Sequence, residues 1–165
     1  MNFLIYKFCE TYHKANLTRL KSLRNPSKKM SKSDADQQSR IELIDTPESI
    51  VKKIKKAVTD SQSNVTYDPE KRPGVSTLID IHAACTAQEP DEIVEWCMLN
   101  AINTGIYKQE VAEVLIKHLK PIQDKYVRLI EDKAYLRRLL DENALKANQI
   151  AEANYKEVCK IVGMN

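Results

Sequence analysis

From Thr104 onward, apolar residues return every third or fourth position, and that period is the spacing of a helix face, not the alternation of a strand. Tyr107, Val111, Val114, Leu115, Leu119, Ile122, Tyr126 and Leu129 carry the stripe. Pro121 falls inside it and predicts a kink rather than an end. Asp132–Leu140 and Ala144–Val162 predict two more helices, with Gly163 as the C-terminal cap. The connections are short, so neighbouring helices are expected to pack antiparallel in a bundle.

The first hundred residues read the same way. Thr46-Pro47-Glu48 has the marks of a helix start: a capping hydroxyl, a first-turn proline and a carboxylate near the positive dipole end. Ile50, Val51, Ile54 and Val58 form its predicted apolar stripe, with Lys52, Lys53, Lys55 and Lys56 off it. Those lysines are either contacts for RNA phosphates or a solubilising face. Arg72-Pro73-Gly74-Val75-Ser76 predicts a turn feeding a helix, Gly74 supplying backbone freedom and Pro73 a fixed φ. Val75, Leu78, Ile79 and His82 then share one face. Arg72 is either a phosphate contact or one half of a structural ion pair, and His82, in an apolar row, is expected to be a core histidine. Glu89-Pro90-Asp91 opens another helix carrying Ile93, Val94, Trp96 and Cys97, with Trp96 assigned to the core. Residues 1–14 predict a short amphipathic helix through Leu4, Ile5, Phe8 and Tyr12. Arg40-Ile41-Glu42-Leu43-Ile44 is the one weak strand candidate. The expected class is mainly α.

Composition narrows the functional classes. With 42% hydrophobic residues the chain can bury a core, while 30% charged residues and three glycines point to exposed helices. The net charge of +3 conceals an asymmetry. Residues 1–33 hold eight Lys/Arg against one acid, a net +7, and the remainder holds 18 basic and 22 acidic residues, a net −4. Cys9, Cys85, Cys97 and Cys159 contain no C-x-x-C pair and no matching histidine spacing. Neither zinc nor an iron–sulfur cluster is signalled, and no protein-bound metal is expected. No apolar run has membrane length, and no membrane partner is expected.

The cationic end contains Lys28-Lys29-Met30-Ser31-Lys32-Ser33-Asp34, preceded by Leu23-Arg24-Asn25-Pro26-Ser27. Asn25-Pro26 is turn chemistry. Lys28, Lys29 and Lys32 are compact cations on flexible stems, and Ser27, Ser31 and Ser33 add hydroxyl donors for phosphate oxygens. Such a loop can close over a triphosphate and stabilise charge as pyrophosphate departs, without proton transfer or a covalent intermediate. A solvated Lys/Ser loop, or a basic targeting patch, has the same composition.

The pentapeptide Lys29-Met30-Ser31-Lys32-Ser33 resembles the second signature of class I aminoacyl-tRNA synthetases. Taken with Ile54-Lys55-Lys56-Ala57-Val58-Thr59-Asp60 and Thr66-Tyr67-Asp68-Pro69-Glu70-Lys71-Arg72-Pro73-Gly74-Val75-Ser76, the chain resembles the tryptophanyl-tRNA synthetase family, in register from about Leu23 to the C-terminus. The resemblance implies ATP-dependent aminoacylation of tRNA-Trp, with Lys29 and Lys32 catalytic and Lys29, Met30, Ser31, Lys32 and Ser33 on the ATP, Mg2+ accompanying it. It also implies a likeness to the C-terminal half alone: residues 1–45 as the end of a Rossmann catalytic domain with its KMSKS loop, and 46–165 as a helical-bundle anticodon-binding domain. Arg128, Arg137, Arg138 and Lys146 are available there for RNA contact. The family's first signature, His-x-Gly-His, cannot be built from His13, His82, His118, Gly74, Gly105 and Gly163, nor is there a glycine-rich strand-to-helix turn. Tryptophan is therefore expected to bind through a half not present here, a homodimer to form only at full length, and this chain alone not to make tryptophanyl-adenylate. The alternative is a noncatalytic tRNA-binding or dimer-modulating module. The Lys-Met-Ser-Lys-Ser spelling is of the bacterial and organellar type, which implies a mitochondrial matrix or, alternatively, a bacterial cytoplasm.

Overall fold

The computed structural model describes residues 20–164. The helix expected over 1–14 lies outside them. Among the described residues there are five α-helices and one 3-10 turn: α1 (Pro47–Lys55), α2 (Pro73–Thr86), α3 (Pro90–Leu99), α4 (Thr104–Glu131) and α5 (Lys133–Val162), with the 3-10 turn at Gln37–Ser39. The described residues fall into two compact units, divided between Lys120 and Pro121. The core lies in the first, where Ile50 and Ile54 of α1, Val75, Leu78 and Ile79 of α2, Ile93 and Cys97 of α3 and Tyr107, Val111 and Leu115 of α4 are buried together with Leu23 and Val65.

The helix starts follow their sequence signals. Thr46 caps α1 by accepting from the Ser49 amide. Pro73 sits in the first turn of α2. Glu89 opens α3 through a reciprocal capping box with Glu92. Val75, Leu78, Ile79 and His82 do share one buried face. Pro121 lies inside α4, and Gly163 caps α5 in the left-handed region at φ 74°.

Other expectations are corrected. No strand forms over 40–44, because local side chains take up the backbone there: Asp45 accepts the Glu42 amide at 2.8 Å, and Arg40 spans Glu42 and the Asp34 carbonyl. On α1 the buried set is Ile50, Lys53, Ile54 and the following Ala57, while Val51 and Val58 are exposed. Lys53, placed on the polar face from sequence, is 4% exposed and grips Asp45 at 2.6 and 2.8 Å. Trp96 is 38% exposed and meets His82 edge-on, because α3 aims Ile93 and Cys97 inward and leaves the indole on its flank. The two helices expected after Asp132 are one. Asp141-Glu142-Asn143 stays helical, and the pairs Arg137–Asp141 and Arg138–Glu142 span the supposed break. No residue of α5 is buried, and Leu136 and Cys159 are half-buried.

Candidate functional site

Asn25-Pro26 turns the chain as its composition predicts. The two arms are joined by an antiparallel bridge between Lys21 and Lys29. The Ser22 amide donates to the Lys28 carbonyl at 2.9 Å and the Met30 amide to the Leu20 carbonyl at 2.8 Å. The tip is tied by side chains: Ser22 Oγ accepts the amides of Arg24 and Asn25, and Asn25 Oδ1 accepts both the amide and the hydroxyl of Ser27, the latter at 2.6 Å. This leaves Lys28 and Lys29 on a fixed frame, both exposed.

Beyond the bridge, Met30 turns inward and packs against the core. Lys32 and Ser33 stay exposed, Ser31 is half-buried, and the Ser31 and Ser33 hydroxyls lie 3.0 Å apart. The Asp34 amide closes a turn onto the Ser31 carbonyl at 3.3 Å. The chain is then braced by Arg40, which donates to the Asp34 carbonyl at 2.9 Å, and by Asp36, which caps the 3-10 turn. Lys28, Lys29, Lys32 and Ser33 are thus exposed along one short segment, with Ser31 half-buried and Met30 turned toward the core. Among the described residues none of the three lysines is paired with a carboxylate. Three free ammonium groups beside two facing hydroxyls form a donor set for phosphate oxygens and offer no acceptor pocket for a cation.

Other candidate positions sort differently. Arg72 is not a surface cation: it is 5% exposed, its Nε and NH2 meet both oxygens of Asp60 at 2.9 and 2.8 Å, and NH1 donates to the Asn64 carbonyl and to Thr66 Oγ1. Of its two readings, the ion pair is the one formed. The guanidinium holds the Asp60 carboxyl below its ordinary range. Lys53 is likewise engaged. Lys52, Lys55 and Lys56 remain exposed. His82 stacks on Tyr107 with ring centroids 5.8 Å apart and shares a 3.3 Å hydrogen bond with its hydroxyl. Burial lowers the imidazole's pKa. On α4 and α5, Arg128, Arg137, Arg138 and Lys146 are exposed, with Arg137 and Arg138 facing acids one turn on and Arg138 also over the Tyr135 ring. Cys85, Cys97 and Cys159 are free thiols. No group of three metal-ligating side chains occurs among the described residues, nor is any helix there long and apolar enough to cross a membrane.

Sequence reasoning missed the supports of the loop. Arg24, read only as charge, reaches back to donate to the Lys56 carbonyl at 2.7 Å and lies 3.6 Å from Asp36. Leu23 is buried, its amide donating to the Ser39 carbonyl and its carbonyl accepting the Val58 amide at 2.7 Å. Two of these contacts, Arg24 to Lys56 and Leu23 to Val58, cross the 45/46 boundary expected from sequence. A lone leucine beside an arginine gives no periodic signal.

Residues 4–120 match the family of tRNA synthetases class I (W and Y). The chain is 43% identical over 146 residues to a tryptophan–tRNA ligase of Caldanaerobacter subterraneus subsp. tengcongensis, covering 88% of this chain and 43% of that one. It is 42% identical over 146 residues to that of Bacillus subtilis, with the same coverage. Its fold matches a tryptophanyl-tRNA synthetase from Mycoplasma pneumoniae with a TM-score of 0.75 at 23% identity, covering 89% of this chain and 44% of the other. The enzyme from Campylobacter jejuni complexed with ADP and tryptophan gives 0.60 at 24%, covering 88% and 43%. The chain spans 43% of the length of these two curated relatives. An intact Lys29-Met30-Ser31-Lys32-Ser33 pentapeptide on a helical fold, matched by one family over residues 4–120 and by relatives 42–43% identical over 88% of the chain, places this chain among the class I tRNA synthetases of the W and Y type.

Proposed function

We propose that this chain serves as part of a tryptophan–tRNA ligase, in which its loop handles the triphosphate of ATP. The observation that carries the reading is the exposed row of Lys28, Lys29 and Lys32, unpaired beside the facing Ser31 and Ser33 hydroxyls. In adenylate formation the tryptophan carboxylate attacks the α-phosphorus and pyrophosphate leaves. Lys29 and Lys32 neutralise the charge that accumulates on the leaving phosphates, and Ser31 and Ser33 donate hydrogen bonds to their oxygens. Met30, packed against the core, anchors the loop backbone. Tryptophan is held by residues outside this chain, and Mg2+ enters with the ATP phosphates.

In this reading residues 1–45 belong functionally to the catalytic domain, and residues 46–165 serve tRNA-Trp through exposed cations such as Lys146 and Arg128. The full-length protein forms a homodimer. Its compartment is one that runs bacterial-type translation. The relatives named above are bacterial, and the mitochondrial matrix expected from the pentapeptide's spelling draws no support from them.

The test joins this chain in cis to the nucleotide-binding half of the Bacillus subtilis relative and measures tryptophan-dependent ATP–pyrophosphate exchange. The fusion is expected to exchange, and Lys32→Ala to slow exchange about 100-fold, the scale of losing one preorganised charge donor, with tryptophan affinity unchanged. Full exchange in Lys32→Ala refutes the assignment. A noncatalytic tRNA-binding module would instead show salt-dependent tRNA retention by the isolated chain together with no exchange by the fusion. Arg137 and Arg138 already face carboxylates and do not favour it.

A further inference from the structure

The loop is held from below by three consecutive residues, Lys56-Ala57-Val58, that belong to no helix interior. On their upper side the Lys56 carbonyl accepts from Arg24 NH1 at 2.7 Å, and the Val58 amide donates to the Leu23 carbonyl at 2.7 Å. Both partners lie inside the bridged loop. On their lower side the Ala57 carbonyl accepts from Lys108 Nζ of α4 at 2.8 Å. The Val58 carbonyl lies so close to Gly74 in the first turn of α2 that any Cβ there would overlap it, with Thr59 Cα only 3.2 Å away. Gly74 does not have a positive φ, so glycine is required here by this approach and not by backbone freedom. Lys108 is half-buried, and burial lowers its pKa; the Ala57 carbonyl takes the place of part of its solvation.

We propose that Lys56–Val58 is a strut that sets the position of the phosphate loop from α2 and α4, and that Gly74 and Lys108 are positioning residues for phosphate handling although neither touches phosphate. A methyl group at 74 pushes the Val58 carbonyl outward, and the amide of the same residue carries the displacement to Leu23. Loss of the Lys108 ammonium frees the Ala57 carbonyl and slackens the strut without adding bulk. This inference rests on the reading of Lys28–Ser33 as a phosphate loop.

The experiment uses the 165-residue chain, inorganic tripolyphosphate as the probe and amide NMR as the readout. Wild type is expected to show shifts confined to Lys28–Ser33, weakened in Lys32→Ala. Gly74→Ala and Lys108→Met are expected to lower tripolyphosphate affinity about three- to thirtyfold, the range of substitutions that act through a coupling element. They should also speed hydrogen exchange at Leu23, Met30 and Val58 while Val111 and Ile93 keep their protection, and Lys108→Arg should restore both. Lys108→Met keeps the test open if Gly74→Ala fails to fold. The strut is refuted if Lys108→Met leaves affinity and loop protection at wild-type values, or loosens the core amides equally. If wild type ignores tripolyphosphate the phosphate-loop reading fails by itself, and the exchange pattern still decides whether the strut holds the loop.

Discussion

Removing the Arg72 guanidinium is expected to destabilise the first unit by about 3 kcal/mol, at the lower end of the cost of breaking a buried ion pair. Arg72 makes five donor contacts, to Asp60 Oδ1 and Oδ2, the carbonyls of Asn64 and Gln62, and Thr66 Oγ1. Arg72→Ala strands all of them. The Asp60 side chain retains 30% of its accessibility, so water recovers part of its solvation, which selects the low end. At roughly 4 °C per kcal/mol for a unit of this size, the midpoint should fall by about 12 °C. Arg72→Lys keeps the charge but loses the fork, and should lie between the two. Trp96 is the sole tryptophan and lies in the first unit, so its fluorescence during urea unfolding reports on that unit. The pair also sets a pH signature. The Asp60 pKa is lowered in the fold by Arg72, so its contribution is complete above the ordinary aspartate value near 3.9 and is lost as pH falls through the lower folded value. The gap between wild type and Arg72→Ala should therefore narrow below about pH 4. An Arg72→Ala protein within about 0.5 kcal/mol of wild type, the range of ordinary surface changes, would refute the reasoning, as would an Arg72→Lys protein of full stability.

Two further outcomes follow from buried polar groups. Lys53→Met should cost about 3 kcal/mol by removing the buried ammonium that donates to both Asp45 oxygens, whereas Lys52→Met and Lys55→Met on the exposed side of α1 should stay within about 0.5 kcal/mol; equal costs in urea denaturation would overturn the assignment of Lys53. His82 has its pKa lowered by burial, so stability should be full above about pH 6.5 and fall below it as the unfolded chain takes up the proton first, with a slope of at most about 1.4 kcal/mol per pH unit. His82→Phe should remove that slope between pH 5 and 7, and an unchanged slope would exclude His82 as its source.

Elements were legible in the sequence wherever one local signal acted alone. Thr46-Pro47-Glu48 and Glu89-Pro90-Asp91 start helices by capping chemistry that needs no tertiary partner, and Val75, Leu78, Ile79 and His82 bury together because spacing alone puts them on one face. The pentapeptide was legible as a donor set for the same reason. What escaped was set by partners distant in the chain. Lys53 is buried only because Asp45, eight residues earlier, folds back to meet it. Gly74 reads as a turn residue until the Val58 carbonyl is placed beside it. Val58 belongs to the period of α1, but the helix stops at Lys55, and Ala57 takes the buried place. Asp141-Glu142-Asn143 has the composition of a break, and pairs one turn apart offset it.

A helix of thirty residues that buries none of them extends about 45 Å and draws its order from the hydrogen bonds of its own backbone and from neighbours one turn away. Its melting is then governed by helix–coil statistics: fraying runs inward from both ends, the length of the ordered stretch shortens smoothly with temperature, and no single midpoint describes it. Heating this protein should therefore bleach helical signal gradually while the indole of Trp96 still reports an intact core, so the chain carries a gradual transition and a cooperative one in the same backbone.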